Sequence, residues 1–297
     1  MKALPSAALL LLGSAFLLLL AAAPAHAQAS SAPTDTVIWI SGEPAEPGTK
    51  PFSQVLVGFV QARWPEARQV IITANARRAW QMVGNGEHAC QISSLRTPER
   101  EKLAFFTDTL IGPPQQLIVR RDKAALLPCT AAGEVDLPRL LADERLRGSL
   151  VDGRSYGDLV DAQLEKLPSH AQIVRYTASD FGSRMLPMLS KDRADYTIGY
   201  DVSLSHPPFE DGTLPSATLM SVPIAGASAP ARAGVACPRN AWGLATIQRI
   251  DKLLSTPAGV SMLRAETEHW LTPEARQRYG SRLEEFYRER AKPSVFR

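Results

Sequence analysis

An arginine and three hydroxyl side chains follow a short apolar segment near residue 90 and together could bind a small anion. The segment 90–92 is typical of the end of a buried strand, and Ser93, Ser94 and Thr97 follow it in a predicted turn. Open α/β sheets bind ligands beyond the carboxyl ends of their strands. Arg100 comes three residues after Thr97, and a guanidinium can hold a carboxylate through two parallel, charge-assisted hydrogen bonds. The spacing therefore predicts an anion site here.

A short helix is expected to carry this arginine. Thr97 is a suitable N-cap for the segment 98–103, which begins with proline and has two glutamates in its first turn. The alternative is a solvated helix start, where Arg100 only forms surface ion pairs with neighbours such as Glu99 and Glu101. Exposed pairs of that kind contribute little to stability.

The elements around this site alternate between strands and helices. In the first half, strands are predicted at 37–40, 69–73 and 90–92, with helices at 53–63 (capped by Ser53) and 76–83. In the second half, strands are predicted at 149–152, 173–176 and 196–199, with helices at 158–166 and 180–189. Such alternation favours parallel strands with crossover helices. Extended segments near Gln115 and Arg232 would carry the chain between two lobes, which predicts an α/β, two-lobed fold with mainly parallel sheets and a two-strand hinge.

A second candidate anion site lies in the loop 153–157, between a predicted strand and a predicted helix. The backbone N–H groups around Gly153 and the hydroxyl of Ser155, with Tyr156 beside it, could face the cleft and bind negative charge. The alternative is a plain turn that uses its glycines for backbone freedom.

The pattern Ser-Ser-Leu-x-Thr-x-x-Arg, followed by Phe-Thr-Asp-x-Leu, resembles the first-lobe signature of the periplasmic polar amino-acid-binding proteins, solute-binding family 3 of ABC transporters. The resemblance implies that Arg100 holds a ligand α-carboxylate and that the Ser155 loop shares in clamping it. It also implies that Asp201, at the end of the strand 196–199, pairs with a ligand amino group. The alternative for Asp201 is an N-cap, while Asp195 is expected to close a turn.

One departure from the family concerns the ligand side-chain pocket. The loop after the first strand, SGEPAEPGTKPF, has no aromatic residue before Phe52, whereas many members place a ring there to cover the ligand. Trp39 or Trp80 could supply a ring instead, although packing in the core is the more frequent use of either residue.

The amino terminus is typical of a secretory signal peptide over residues 1–27. Lys2 precedes an apolar run, and the small-residue triplet ending at Ala27 supplies a cleavage site, so we expect the mature chain in the periplasm. In that oxidising compartment we expect a disulfide between Cys90 and Cys237, because their strands would be antiparallel neighbours in the first lobe. Three free thiols, or a bond through Cys129, are the alternatives.

Composition excludes several classes of function. The formal net charge of +3, without a basic stripe, gives no electrostatic footprint for nucleic acid. Phosphate-binding glycine loops and metal-spaced Cys/His pairs are missing from the sequence, so neither a cofactor nor a metal is expected.

These observations and the resemblance together predict a monomeric, non-catalytic, extracytoplasmic solute-binding protein. Its lobes would comprise residues 36–118 with 232–297, and residues 119–231. It would capture a small polar carboxylate or amino-acid-like molecule and deliver it to an inner-membrane ABC permease. An enzyme of the dehydratase or lyase type on the same fold, or a ligand sensor without a transporter, are the alternatives.

Overall fold

A computed structural model of the chain describes residues 36–42, 50–177, 185–205 and 212–296. The predicted signal peptide, residues 1–27, lies outside them. Within the described ranges, no helix combines the length and the apolar composition needed to cross a membrane.

The described residues form strands and helices in a regular alternation. In chain order these are β1 (Thr36–Ser41), α1 (Phe52–Gln61), β2 (Arg68–Thr73), α2 (Ala76–Gly84), β3 (Ala89–Leu95), α3 (Pro98–Glu101), β4 (Ala104–Gly112), β5 (Gln116–Arg120), α4 (Leu137–Leu141), β6 (Gly148–Val151), α5 (Asp158–Leu164), β7 (Ile173–Tyr176), α6 (Met185–Ser190), β8 (Tyr196–Gly199), β9 (Leu219–Val222), β10 (Ala231–Pro238), α7 (Ala241–Leu254), α8 (Pro257–Trp270) and α9 (Pro273–Arg290). Short 3₁₀ helices occupy Arg121–Leu126, Asp201–Leu204 and Pro215–Ala217.

The strands form two five-stranded mixed sheets of the same design. The first has the order β2-β1-β3-β10-β4, and the second has the order β7-β6-β8-β5-β9. In each sheet three neighbouring strands are parallel, and the remaining pairings are antiparallel. We call the elements packed on these sheets the first lobe and the second lobe. Both belong to one compact unit, Asp35–Arg297.

The chain crosses between the sheets twice, close to the predicted positions. Strand β4 ends at Gly112 in the first sheet, and β5 begins at Gln116 in the second. The return follows β9, and β10 enters the first sheet with Ala231 opposite Gly112. Because β5 is a strand of the second sheet, the predicted lobe boundary at residues 118 and 119 falls inside it.

Apolar side chains fill each lobe separately. The second lobe has a core that includes Leu117, Leu150 and Ile198. In the first lobe, Trp39 packs in one buried cluster, while Ile40 packs in another. Successive strand residues point to opposite faces, so both faces of the first sheet are covered.

The strand carrying the hydroxyl residues is longer than predicted. β3 continues through Leu95, because Ser94 and Leu95 pair with Gly234 and Ala233 of β10. Ser93 and Ser94 therefore lie within the strand rather than in a turn after it. Ser93 has a φ of 54°, and the β10 register shifts beside it, so the predicted turn is a bulge in a continuing strand.

One further sequence prediction about local structure was wrong, and one strand was missed. Helix α1 begins at Phe52 after Pro51, with no side-chain cap, and Ser53 is a buried residue inside the helix. The strand β4 was not predicted, although its alternation of buried and half-buried side chains is typical of a strand.

The predicted disulfide between Cys90 and Cys237 is present, with the two Cα atoms 4.3 Å apart. The sulfurs meet because β10 runs antiparallel to β3, as expected. Cys129 is exposed and free, so the alternative bond through this residue is not formed.

Candidate functional site

Arg100 is positioned by the short helix α3 at the carboxyl end of β3. The side chain of Thr97 caps this helix by accepting a hydrogen bond of 3.3 Å from the Arg100 backbone N–H. Pro98 occupies the first turn, as the sequence predicts. One helical turn between β3 and β4 therefore fixes the backbone that carries the guanidinium.

The guanidinium of Arg100 lies on an aromatic surface and has no acidic partner among the residues that the structure describes. Its Cζ is 4.6 Å from the Trp80 ring centroid, and its Nη1 donates to the Leu95 carbonyl at 3.1 Å. In the described parts of the chain, no carboxylate lies within ion-pair distance of it. Burial lowers the pKa of Arg100 to about 10, and the positive charge of Arg154 acts in the same direction, whereas Asp161 opposes it. At neutral pH the group is therefore a partly desolvated cation available to an anion.

The acidic neighbours of Arg100 pair with other residues. Glu99 forms an ion pair with Lys102 at 2.5 Å, and Glu101 forms one with Arg96 at 2.6 Å. Surface ion pairs, the alternative considered for Arg100, are thus formed by its neighbours Glu99 and Glu101 with other residues.

Several buried polar atoms have no partner among the described residues, and two of them adjoin this guanidinium. The Ser94 hydroxyl, the Trp80 indole N–H, the Gln91 amide oxygen and the Gln115 amide oxygen have no hydrogen-bond partner among the described residues. Trp80 contacts Arg100 directly, and Ser94 precedes the residue whose carbonyl Arg100 binds. An unsatisfied buried polar group costs about 1–3 kcal/mol. The Ser94 hydroxyl and the Trp80 N–H, which adjoin Arg100, are thus available to a ligand bound there.

In the second lobe, the loop 153–157 is held by Asp161 of helix α5. One carboxylate oxygen accepts from the Ser155 hydroxyl, and the other accepts from the Tyr156 backbone N–H at 2.7 Å. Gly153 and Gly157 have φ angles of 73° and 92°, which only glycine adopts readily. The loop is therefore rigidly shaped by its own sequence.

Tyr156 is used for packing rather than exposed to a cleft. Its side chain is 3% exposed and lies in the second-lobe core. Its hydroxyl accepts a hydrogen bond of 2.8 Å from the Val151 backbone N–H. Both groups predicted to face a ligand, the Tyr156 ring and the Ser155 hydroxyl, thus have roles within the loop.

This loop contacts the first lobe at helix α2. Arg77 donates to both carboxylate oxygens of Asp152, at 2.8 and 3.2 Å. A Cβ added to Gly153 would lie 2.8 Å from the Arg77 backbone nitrogen, so this glycine permits the close approach. Arg77 and Trp80 are three residues apart on α2 and share a face. The loop therefore lies beside the helix on which Arg100 stacks.

Tyr200 and Gln115 connect the site to the crossing strands. Tyr200 packs edge-on against Trp270 with ring centroids 5.5 Å apart, and the Gln115 side chain lies beside the Tyr200 hydroxyl. Burial raises the pKa of Tyr200, while the charges of Arg154 and Arg100 lower it. The two guanidiniums and this hydroxyl are thus within electrostatic reach of one another.

Asp201 lies at the start of a 3₁₀ helix and has a local partner. Its Oδ1 accepts a hydrogen bond of 2.9 Å from the N–H of the next residue, Val202, but Tyr200 occupies the N-cap position, so Asp201 is not the N-cap that the alternative predicts. Asp195 is 2% exposed and does not close a local turn as expected; it accepts hydrogen bonds from the backbone and side chain of Arg147, 48 residues away in the sequence.

A groove on the second lobe lies away from these residues. It is lined by Arg147, Gly148, Ile173 and Arg193, among others. Gly148 and Ile173 begin the parallel strands β6 and β7, whereas the loop 153–157 follows the carboxyl end of β6. The Arg147 guanidinium is already bound by Asp195 and Asp192, so we do not assign the ligand to this groove.

The structure thus places Ser94, Thr97 and Arg100 together in the first lobe, with the Gly153–Gly157 loop opposite. Ser93 is exposed at the bulge. Sequence reasoning offered Trp80 only as an alternative aromatic and did not assign roles to four nearby residues: Gln115, Arg154, Asp161 and Tyr200. For Trp80, the helical spacing from Arg77 was the available signal. The others become neighbours of Arg100 only when the lobes meet.

Comparison with known proteins supports the fold. The sequence matches no family model and no curated protein. Solved structures match over most of the chain. The substrate-binding protein of an amino acid ABC transporter matches with a TM-score of 0.56 and 12% sequence identity, over 80% of this chain and 99% of that one. A putative L-cystine ABC transporter from Listeria monocytogenes matches with a TM-score of 0.59 and 17% identity, over 81% of this chain and 96% of that one. A histidine kinase sensor domain with similarity to periplasmic binding proteins also matches (0.57, 14%, 80% and 96%). The two-lobed periplasmic-binding-protein fold expected from the sequence is confirmed.

Proposed function

We propose that this protein is a non-catalytic solute-binding protein that captures a small polar carboxylate or amino-acid-like ligand between its two lobes. The observation that carries the proposal is the Arg100 guanidinium, held on Trp80 without an acidic partner in the described residues. A charge-assisted, bidentate hydrogen bond to a carboxylate would satisfy it. The unpaired Ser94 hydroxyl and Trp80 N–H supply further donors for the same anion.

The fold supports a role in binding and gives the ligand a mode of entry. Two crossing segments join the lobes, and rotation about such segments opens and closes a site between them. The neighbours from amino acid ABC transporters favour delivery to a permease, in the periplasm after cleavage of residues 1–27. The sensor-domain neighbour favours a second candidate function, ligand sensing without transport.

An enzyme on the same scaffold would need an acid or base free to act on the ligand. Asp161 is the carboxylate whose charge acts on Arg100, and both of its oxygens accept hydrogen bonds from its own loop. That arrangement suits a structural and electrostatic role better than proton transfer.

Native purification followed by mass spectrometry of the released small molecules tests the proposal. We expect a stoichiometric small carboxylate or amino acid that is recovered unchanged after prolonged incubation with the protein. Conversion of that compound would favour the enzyme. A protein that binds no member of a broad panel of carboxylates and amino acids after complete unfolding and refolding would contradict the proposal.

A further inference from the structure

Two contacts join the lobes, and the topology of the first sheet places them on opposite sides of Arg100. The sheet has the order β2-β1-β3-β10-β4, and its pairings make β2, β3 and β4 parallel to one another. Arg77 comes shortly after the end of β2, whereas Gly112 ends β4, so these two residues lie at the two sides of the sheet. Arg100 follows β3, between them.

The first contact is the ion pair between Arg77 and Asp152. The Arg77 side chain is 64% exposed in this pair. An exposed ion pair changes an equilibrium by less than about fivefold. On its own, this contact therefore contributes little to holding the lobes together.

The second contact is apolar and lies where the chain first crosses between the sheets. Tyr200, which follows β8 in the second sheet, packs edge-on against Trp270, the last residue of α8, with ring centroids 5.5 Å apart. Helix α8 packs on β4, and a Cβ added to Gly112 would lie 3.1 Å from the Trp270 ring. The Trp270 ring thus rests on the first lobe and contacts the second.

Val202 extends this contact into a buried apolar cluster. It follows Tyr200 in the second lobe and is 4% exposed. The other buried members of its cluster come from β4 and the C-terminal helices of the first lobe: Ile111, Leu271, Ala275, Leu283, Phe286 and Tyr287. Moving the lobes apart at this point returns the apolar surface of both sides to water, which is unfavourable.

We propose that the arrangement in which both contacts are made, the closed arrangement, is the resting state of the ligand-free protein. The apolar contact keeps it closed: an edge-on aromatic pair accounts for roughly twofold to tenfold in the ratio of closed to open molecules, and burial of a valine for about tenfold or more. The ion pair adds less than about fivefold. A ligand then enters through a minor open state of the protein.

Double electron–electron resonance between spin labels on the two lobes tests this proposal without a ligand. Cys129 is free and exposed in the second lobe, and Lys252→Cys provides a label on an exposed position of α7 in the first lobe. Unfolding in denaturant and refolding, with the disulfide between Cys90 and Cys237 intact, removes any bound small molecule. In this background we expect one major, shorter distance and a minor, longer one.

Variants of the apolar contact should shift this distribution toward the longer distance. Trp270→Leu and Val202→Ala should each raise the ratio of open to closed molecules by about threefold to tenfold, and Arg77→Gln by less than about fivefold. Trp64→Leu is the matched control, because Trp64 packs on a cluster of the first lobe alone, and it should behave as the background. Tyr200→Leu removes the same ring contact from the other lobe. Melting curves confirm that each variant is folded.

The outcomes concern closure and leave the proposed ligand site to its own tests. A background protein with mainly the longer distance would overturn the proposal. Folded Trp270→Leu and Tyr200→Leu variants with the same distances as Trp64→Leu would also overturn it. Because no ligand is present, neither result bears on whether Arg100 binds a carboxylate, which ligand binding to Arg100 variants decides separately.

Discussion

Removing the disulfide between Cys90 and Cys237 should greatly destabilise the protein. The cross-link joins residues 147 apart in sequence. For a closed loop of that length, the chain-entropy treatment gives a stabilisation of about 5 kcal/mol at 25 °C. The double variant Cys90→Ala/Cys237→Ala should therefore unfold at a temperature lower by about 10–20 °C, given roughly 2–4 °C per kcal/mol for a chain of this size.

Urea denaturation of the oxidised wild type, the double variant and Cys129→Ala measures this effect. Cys129 is exposed and free, so its replacement should change the free energy of unfolding by less than about 0.5 kcal/mol. A reducing agent should destabilise the wild type and Cys129→Ala but leave the double variant unchanged. An ordinary substitution changes the free energy of unfolding by roughly 1 kcal/mol. A double variant whose free energy of unfolding lies within about 1 kcal/mol of the wild-type value would therefore refute the reasoning.

Three further predictions concern ion pairs and carboxylates. Arg77→Ala and Asp152→Asn should each speed ligand dissociation, because the Arg77–Asp152 ion pair joins the two lobes. Stopped-flow traces that show unchanged rates of ligand release would argue against this role of the ion pair. Asp201→Asn should leave affinity within about threefold, since its Oδ1 is bound by the next backbone N–H; a large loss in calorimetry would assign it to the ligand. Burial alone would raise the pKa of Asp195, but hydrogen bonds from Arg147 lower it below its usual value. The resulting stabilisation of the fold is present above about pH 4 and is lost as pH falls through the folded-state pKa. Asp195→Asn should therefore destabilise the protein at pH 7 but much less at pH 2. Thermal melts at the two pH values measure this difference.

Local and medium-range features of the fold were predictable from the sequence. Alternating apolar segments gave the strands 173–176 and 196–199 with the bounds that the structure has. The cap at Thr97 and the neighbouring strands of Cys90 and Cys237 followed from elementary rules of capping and topology.

Predictions failed where tertiary pairing decides the local structure. Ser93 and Ser94 have the composition of a turn, but β10 pairs with Ser94 beyond a bulge at Ser93 and keeps both residues in a strand. Ser53 is a favourable cap by residue type, yet the helix starts one residue earlier and buries it. Strand pairing across more than 100 residues leaves no local signal in the chain.

The site was only half accessible to sequence reasoning for the same reason. Thr97 and Arg100 are close in sequence, so a pattern over a few residues revealed them. Trp80 reaches Arg100 from helix α2 of the same lobe, whereas Arg154 and Asp161 approach it only through the contact between the loop 153–157 and helix α2. A contact between lobes leaves no hydrophobic periodicity or residue spacing in the sequence by which it could be recognised.

Calorimetry on Arg100 variants, with the ligand recovered from the native protein, tests the central claim most directly. Loss of one partner of a desolvated charge pair costs about 2–5 kcal/mol, which is roughly 30-fold or more in affinity. Arg100→Ala should therefore bind at least about 30-fold more weakly, and Arg100→Lys should recover only part of the loss because a lysine cannot form the bidentate contact. If folded Arg100→Ala binds within about threefold of the wild type, Arg100 is not the anion-binding residue of this site.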